Sequence, residues 1–330
     1  MTRILITGGA GYIGSQTAKT LMRNGYDVYV YDWHIEPWSV AHIPADQVFK
    51  TDFADEYFLP YAFERIKPEA VIHFAALHQV NQSVSEPHNF YHNNVVKTQK
   101  LLEHLRMANT PIIFSGTASV YGNPAEQVDR FTETHPVNPM NPYAKTKLAI
   151  EWMLEDYHKA YGLNHMILRY FNAAGADPGG KLGYVQEPKS HIVPILMNKV
   201  RLKEEIAVYG TDYPTPDGTC VRDYTHVADL AMAHLAALDH LLSNVNKPVA
   251  EKVNIGSGTG TSVKELISVT ESVLKTEIKY KEMPRREGDP ASLVADISKA
   301  ESLLNWKPSF SIQEIIKHAW EWELKRAKGN

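Results

Sequence analysis

The feature that most constrains this chain is the run Thr7-Gly8-Gly9-Ala10-Gly11-Tyr12-Ile13-Gly14. It follows the apolar segment RILIT (3 to 7) and leads into SQTAKTLMRNG (15 to 25). Glycines spaced three apart at 8, 11 and 14 let backbone take positive φ and approach a pyrophosphate, and the following helix offers free N–H groups and positive dipole. Context separates the run from a chance glycine pattern: a strand precedes, a helix follows, and a second strand, DVYVYD (27 to 32), ends in Asp32. A carboxylate there accepts hydrogen bonds from ribose hydroxyls and repels a 2′-phosphate. Trp33 and His34, not Arg, come next, which favours NAD over NADP.

The strand and helix rhythm continues along the chain. Strands are expected at 47 to 52, 70 to 76, 111 to 116 and 165 to 172, and helices at 56 to 67, 88 to 109 and 142 to 161. Such alternation builds right-handed βαβ units, hence an α/β fold with a doubly wound parallel Rossmann sheet. After Asn172 the composition shifts to the Gly- and Pro-rich stretch 173 to 191 and to shorter mixed segments. A nucleotide domain over 1–172 and a second, smaller mixed α/β substrate domain over 173–330 are expected. A helix at 227 to 242 and a strand at 252 to 258 suggest a return to the first sheet around 225–257.

Composition narrows the function classes. Lys and Arg total 34 against 38 Asp and Glu, a formal charge of −4 with no block of like charge, so neither nucleic acid nor an anionic membrane is an expected partner. Cys220 is the one cysteine, which leaves no disulfide framework or CxxC pair and suits a reducing cytoplasm. The apolar start stops at Gly8, too short for a signal-peptide core, and no run approaches a membrane span, so a soluble, unprocessed chain is expected. His88 and His92 lie four apart beside Glu86, but HExxH is absent and no metal is expected. Lys199, Arg201 and Lys203 read as a solvated helix face.

The candidate chemistry lies in NPYAKTK (141 to 147), where Pro142 suits a first helical turn and Tyr143 and Lys147, four apart, share a face. A phenol is a poor base at neutral pH. Bringing its pKa from 10 to about 7 takes roughly 4 kcal/mol of preferential phenolate stabilisation, which a nearby ammonium and an oxidised nicotinamide can supply. The hydroxyl cluster SGTASVYG (115 to 122) ends a predicted strand, at the edge where open α/β sheets bind ligands, and Thr117 can hydrogen-bond a reacting oxygen there.

Together with VIHFAAL, LRYFNAAGADPGG, YGTDYPTPDGTCVRDYTHVADLA, NIGSGTG and PRREGDPASLVAD, these motifs run from Thr7 to Trp306. On them the chain resembles the UDP-glucose 4-epimerase family of the extended short-chain dehydrogenase/reductase superfamily, DYPTPDGTCVRDY and RREGD being the most specific. The resemblance implies interconversion of UDP-galactose and UDP-glucose through a 4-keto sugar with NAD kept bound. Tyr143 would take the proton from the sugar 4-hydroxyl, Thr117 would assist, and Lys147 would bind the nicotinamide ribose and tune Tyr143. It also implies dinucleotide contacts at Gly8, Gly11, Tyr12, Ile13, Gly14, Asp32, Asp52, Phe74, Ala75, Asn94 and Tyr170. The UDP-sugar contacts it implies are Asn172, Arg222, Tyr224, Arg286 and Asp289, with Leu293 lining the sugar cavity, and a homodimer packed through the helices near 88 to 109 and 142 to 161.

Three positions depart from the family pattern. Thr117 stands where Ser is frequent, His78 where Lys is frequent near the cofactor, and Leu293 is intermediate between the large Tyr linked with plain hexoses and the small residue linked with N-acetylhexosamines. Acceptance of UDP-N-acetylhexosamines is therefore left open. A UDP-pentose (xylose/arabinose) 4-epimerase is the closest rival reading. Dehydration is disfavoured because Ala118-Ser119, not Asp-Glu, follow Thr117. A dinucleotide sensor without catalysis has no need of Thr117, Tyr143 and Lys147 together.

Overall fold

The computed structural model describes residues 1–124, 128–286 and 289–328, so Glu287 and Gly288 of the RREGD run lie outside the described residues. Numbering strands in chain order, β1 (Arg3–Thr7), β2 (Asp27–Asp32), β3 (Val48–Lys50), β4 (Ala70–His73), β5 (Ile112–Thr117), β6 (His165–Tyr170) and β10 (Ala250–Ile255) form one sheet. Their order is β10-β6-β5-β4-β1-β2-β3, and every pairing is parallel. Alternate side chains serve opposite faces. Ile4, Ile6, Val28 and Val30 pack with Leu21, Leu230 and Leu238, while Leu5, Val71, Ile112 and Phe114 pack with Leu101, Leu105, Ile150 and Leu154. Each such buried side chain contributes about 1.5 to 3 kcal/mol, and the two layers together make the doubly wound α/β fold.

Local departures from the sequence expectation have physical causes. The first helix begins at Tyr12, so Gly14 lies inside it and Gly11 is its N-cap. β4 stops at His73 because Phe74 and Ala75 both turn to donate their N–H groups to Thr7 O, at 2.9 and 3.1 Å. The helix expected over 88 to 109 is Pro87–Phe90, a π-helical stretch Tyr91–Val96 and then Lys97–Ala108. The strand expected over 165 to 172 breaks at Phe171, where the chain leaves the large sheet for a smaller one.

That smaller sheet is built around β9 (Val221–His226), which pairs with β7 (Asn172–Ala174), β11 (Gly260–Ser262) and β13 (Ser292–Leu293). A parallel ribbon of β8 (Ile206–Tyr209) and β12 (Tyr280–Met283) lies apart from it. β10 lines up beside β6 in the large sheet, and the helix Val227–Ser243 packs on the Tyr12–Arg23 helix. Ala300, Leu304 and Trp306 also join that first core. Among the described residues no helix is long and apolar enough to cross a membrane.

One reading of the surface needs correction. Arg201 is not part of a simply solvated face: its Nε donates to Glu323 at 2.9 Å and its Nη2 to Asn198 Oδ1 at 2.8 Å. Glu323 is buried in the last helix and needs a counter-charge, which draws Arg201 down. Lys199 pairs with Glu204 at 2.6 Å on the exposed side.

Candidate active site

The glycine run forms a turn that no side chain can enter. Gly8 has φ +72°, and a Cβ there would lie 2.6 Å from Ala75 N; a Cβ on Gly14 would lie 2.2 Å from Gly8 O. A Cβ on Gly11 would stand 3.2 Å from the same oxygen. No side chain caps the N-terminus of the Tyr12–Arg23 helix, so its first-turn N–H groups are available to an anion. Asp32, buried at the end of β2, accepts from Ala10 N and His34 N, both at 3.1 Å. Burial raises its carboxyl pKa and these N–H groups oppose the rise, while its free lone pairs suit a ribose diol. A cradle without room for Cβ, an uncapped helix start and this carboxylate fit NAD.

Neighbouring residues fix the cradle. Ile13 packs on the first core, and the Tyr12 hydroxyl donates to Gly175 O at 2.7 Å, tying the helix start to the segment after β7. Phe74 rests on His234, ring centroids 4.7 Å apart. His234 Nδ1 lies 2.8 Å from Leu230 O, so Nδ1 carries the proton and Nε2 accepts from the Tyr170 hydroxyl. Burial pushes His234 down to about 4, which keeps this tautomer neutral, and pushes the Tyr170 phenol up.

Thr117, Tyr143 and Lys147 meet at the C-terminal end of β5. Asn141 starts the Pro142–Tyr161 helix, its Oδ1 accepting from Ala144 N at 2.9 Å with Pro142 in the first turn. Thr117 is the last residue of β5 and register partner of Tyr170, and its side chain lies near enough to Tyr143 to draw the phenol's pKa down. One turn on, Lys147 is buried, donates to Ser115 O at 2.9 Å and lies 4.7 Å from the centre of the Phe114 ring. Burial pushes Tyr143 up to about 12, against the pull of Thr117, and holds Lys147 down to about 7, against Glu151. The protein alone thus keeps Tyr143 as a phenol, because burial outweighs the pull of Thr117.

The remaining residues line one sheet face. Asn172 stands in register with Tyr224, and Leu293 with Arg222; Arg222 and Tyr224 are two apart on β9, so all four project to the same side. Asn172 Nδ2 and Tyr224 Oη are buried without a hydrogen-bond partner among the described residues, as is the hydroxyl of nearby Tyr213. Unpaired buried polar atoms are costly, so a polar ligand here satisfies them. Arg222 donates through Nη1 to Pro290 O at 2.8 Å and meets Asp289 at 3.4 Å, while Arg286 lies 3.8 Å over the Tyr209 ring. Leu293 packs beside Ala118, Tyr121, Phe131, Leu148 and Phe171, next to the end of β5. Phe171 alone separates Tyr170, at the end of the large sheet, from Asn172 on the small one.

Two expected dinucleotide contacts have other partners. Asn94, fully buried, donates to Leu77 O at 2.9 Å and Thr146 Oγ1 at 3.1 Å and accepts from Leu77 N at 2.8 Å. Its amide braces the loop after β4 against the Pro142–Tyr161 helix. Asp52 accepts from Ala54 N at 3.0 Å and pairs with Lys97. His78 stacks on His191, centroids 6.2 Å apart, and burial holds both imidazoles below their usual range.

Sequence reasoning missed several participants. Asp223, on the opposite face of β9, accepts from Ser257 N at 2.6 Å, Ser257 Oγ at 2.7 Å, Gly258 N at 3.0 Å and Ala295 N at 3.2 Å. It thereby ties the end of β10 to the small sheet; its place between Arg222 and Tyr224 was the available signal. Tyr209, Tyr213 and His234 carried none.

The profile of the GDP-mannose 4,6 dehydratase family matches residues 5–319. The UDP-glucose 4-epimerase of Rhizobium meliloti is 43% identical over 328 residues, 99% of this chain and 98% of that protein. That of Halalkalibacterium halodurans is 41% identical over 329 residues, covering 99% and 97%. The crystal structure of UDP-glucose 4-epimerase from Bifidobacterium longum in complex with NAD+ and UDP is similar with a TM-score of 0.91 at 38% identity, covering 100% of both chains. At this identity over 99% of its length, the chain belongs to the UDP-glucose 4-epimerase family.

Proposed function

We propose that this chain is an NAD-dependent isomerase that interconverts UDP-galactose and UDP-glucose at C4. The observation that carries the reading is the meeting of Thr117, Tyr143 and Lys147 between the glycine cradle and a sheet face with unpartnered polar atoms. Residues 1–172, with a return over 225–257, form the cofactor domain, and 173–330 supply the UDP-sugar domain.

Gly8, Gly11, Tyr12, Ile13, Gly14, Asp32, Phe74, Ala75 and Tyr170 surround the cofactor, with Asp52 and Asn94 behind them. NAD supplies a hydride acceptor that becomes the donor on return. Tyr143 accepts the proton of the sugar 4-hydroxyl, Thr117 hydrogen-bonds the same oxygen, and Lys147 holds the ribose and favours the phenolate. Arg222 and Arg286 pair with the diphosphate, while Asn172, Tyr224 and Asp289 hydrogen-bond UDP. A firm grip on UDP combined with few polar contacts to the hexose lets the sugar present either face.

The purified chain, given UDP-galactose without added cofactor, is expected to form UDP-glucose, read by chromatography or NMR. If nothing converts even with NAD supplied, the reading fails. Leu293 lines the hexose cavity and leaves room that Tyr would fill, so Leu293→Tyr is expected to lower kcat/KM for UDP-N-acetylglucosamine about tenfold more than for UDP-glucose. Equal effects on the two substrates remove Leu293 as the size filter.

Two chains pair through the flank formed by the Pro142–Tyr161 helix and the helical segments over 80–108, where Val84, Tyr91, Val96 and Trp152 are exposed. Sedimentation at twice the chain mass supports this pairing, and a monomer at micromolar concentration overturns it. The lone, buried Cys220 suits a reducing cytoplasm.

A further inference from the structure

Tyr143, Lys147 and Glu151 stand four residues apart along one line of the Pro142–Tyr161 helix. The first two belong to the active site. Glu151 does not reach it: its carboxylate is buried and gripped twice by Arg169 of β6, Nε to Oε1 at 3.1 Å and Nη2 to Oε2 at 2.6 Å. Arg169 Nη1 donates in turn to the Tyr121 hydroxyl at 3.0 Å, and that hydroxyl donates to Asn254 Oδ1 at 2.7 Å.

Stability alone gives weak reason for this network. Desolvating a carboxylate and a guanidinium is costly, and apolar side chains of similar volume often serve a core as well or better. Position gives a stronger one. The pair lies with its negative end one helical turn behind Lys147 and its positive end directed toward Tyr121.

Lys147 has few other charged neighbours. Facing it are the Phe114 ring and Ser115 O of β5, His73 of β4 and His78 beyond β4, with Tyr143 one turn back on its own helix. Burial keeps both histidines neutral, His73 down to about 3. Among the described residues, Glu151 is the carboxylate whose charge reaches Lys147, and it works against burial that otherwise drives Lys147 to its neutral amine.

We propose that Glu151 is a positioning residue that keeps Lys147 an ammonium, and that Arg169, anchored by Tyr121, holds the carboxylate in place one helical turn behind it. The proposal rests on the epimerase reading, in which a charged Lys147 favours the Tyr143 phenolate.

The sign follows directly. Removing the Glu151 charge makes protonated Lys147 less favourable, so the ammonium is lost at lower pH and the alkaline limb of the kcat profile moves down. Glu151→Gln in the NAD-loaded enzyme is expected to move that limb by about one pH unit, lowering kcat at pH 8 about tenfold with KM little changed. The near-ultraviolet phenolate absorbance of Tyr143, taken as the difference from Tyr143→Phe, moves to higher pH in the same variant. Where Glu151→Gln leaves Arg169 unpaired and does not fold, the charge-free pair Glu151→Leu/Arg169→Met is expected to move the limb in the same direction by a smaller step, because the opposing Arg169 charge leaves with the carboxylate while packing is kept.

An alkaline limb and a phenolate titration that stay at the wild-type pH in a folded variant overturn the proposal, whatever the change in thermal stability. Rescue of the wild-type limb by Glu151→Asp supports it. Wild-type protein without epimerase activity is a separate result: it removes the epimerase reading and leaves the absorbance titration to decide the Glu151 coupling.

Discussion

Tyr143→Phe is expected to lower kcat by about three orders of magnitude while NAD remains bound. The substitution keeps the ring that fills the space beside Thr117 and removes only the oxygen that accepts the proton. The cradle of Gly8, Gly11 and Gly14, the Asp32 carboxylate and Lys147 are untouched, so NAD released from the denatured variant is expected to match wild type. Near-normal turnover removes Tyr143 as the base. Loss of both turnover and NAD assigns it a binding role instead.

Gly14→Ala carries an effect of similar size through a different quantity. The new methyl would stand 2.2 Å from Gly8 O and 2.9 Å from Gly9 Cα, all backbone that has no rotamer to yield. Gly8 has little freedom to move, because its N–H is held by Tyr31 O at 2.8 Å and the backbone of Ala75 packs close to it. The helix start therefore moves away from the turn and the pyrophosphate cradle opens. The expected outcome is a folded chain, with native far-ultraviolet circular dichroism, that purifies with less than about a tenth of the wild-type NAD content. Full NAD content in this variant contradicts the placement of the pyrophosphate at the cradle.

The large sheet was legible because each strand is a short β-branched or aromatic run bounded by turns, with helical spacing between. RILIT, DVYVYD and the Pro142–Tyr161 helix appear at or within a residue of their expected limits. The glycine run was legible as a cradle but not as a helix start, since Gly14 reads locally as a turn residue although it lies in the first turn of the Tyr12–Arg23 helix. Within the π-helical stretch Tyr91–Val96, Asn94 bonds both Leu77 and Thr146, partners far away in sequence that a local reading cannot supply.

The small sheet was the least legible part. β7, β11 and β13 are two or three residues long, too short for any period, and are fixed by pairing with β9 from distant parts of the chain. Motif resemblance named Asn172, Arg222, Tyr224 and Leu293, yet their shared face follows only from that register. Glu151 continued the spacing of Tyr143 and Lys147 in plain view, but its meaning depended on Arg169, a lone cation in the apolar strand HMILRY.

The central claim is that C4 of a UDP-sugar gives up a hydride and takes the same hydride back on its opposite face, the hydride staying within the site between the two steps. The most direct measurement uses UDP-galactose carrying deuterium at C4, incubated with the purified chain in ordinary water without added cofactor, and follows the product by NMR. The expected result is UDP-glucose with the deuterium retained at C4. UDP-glucose that has lost its deuterium to solvent contradicts the account.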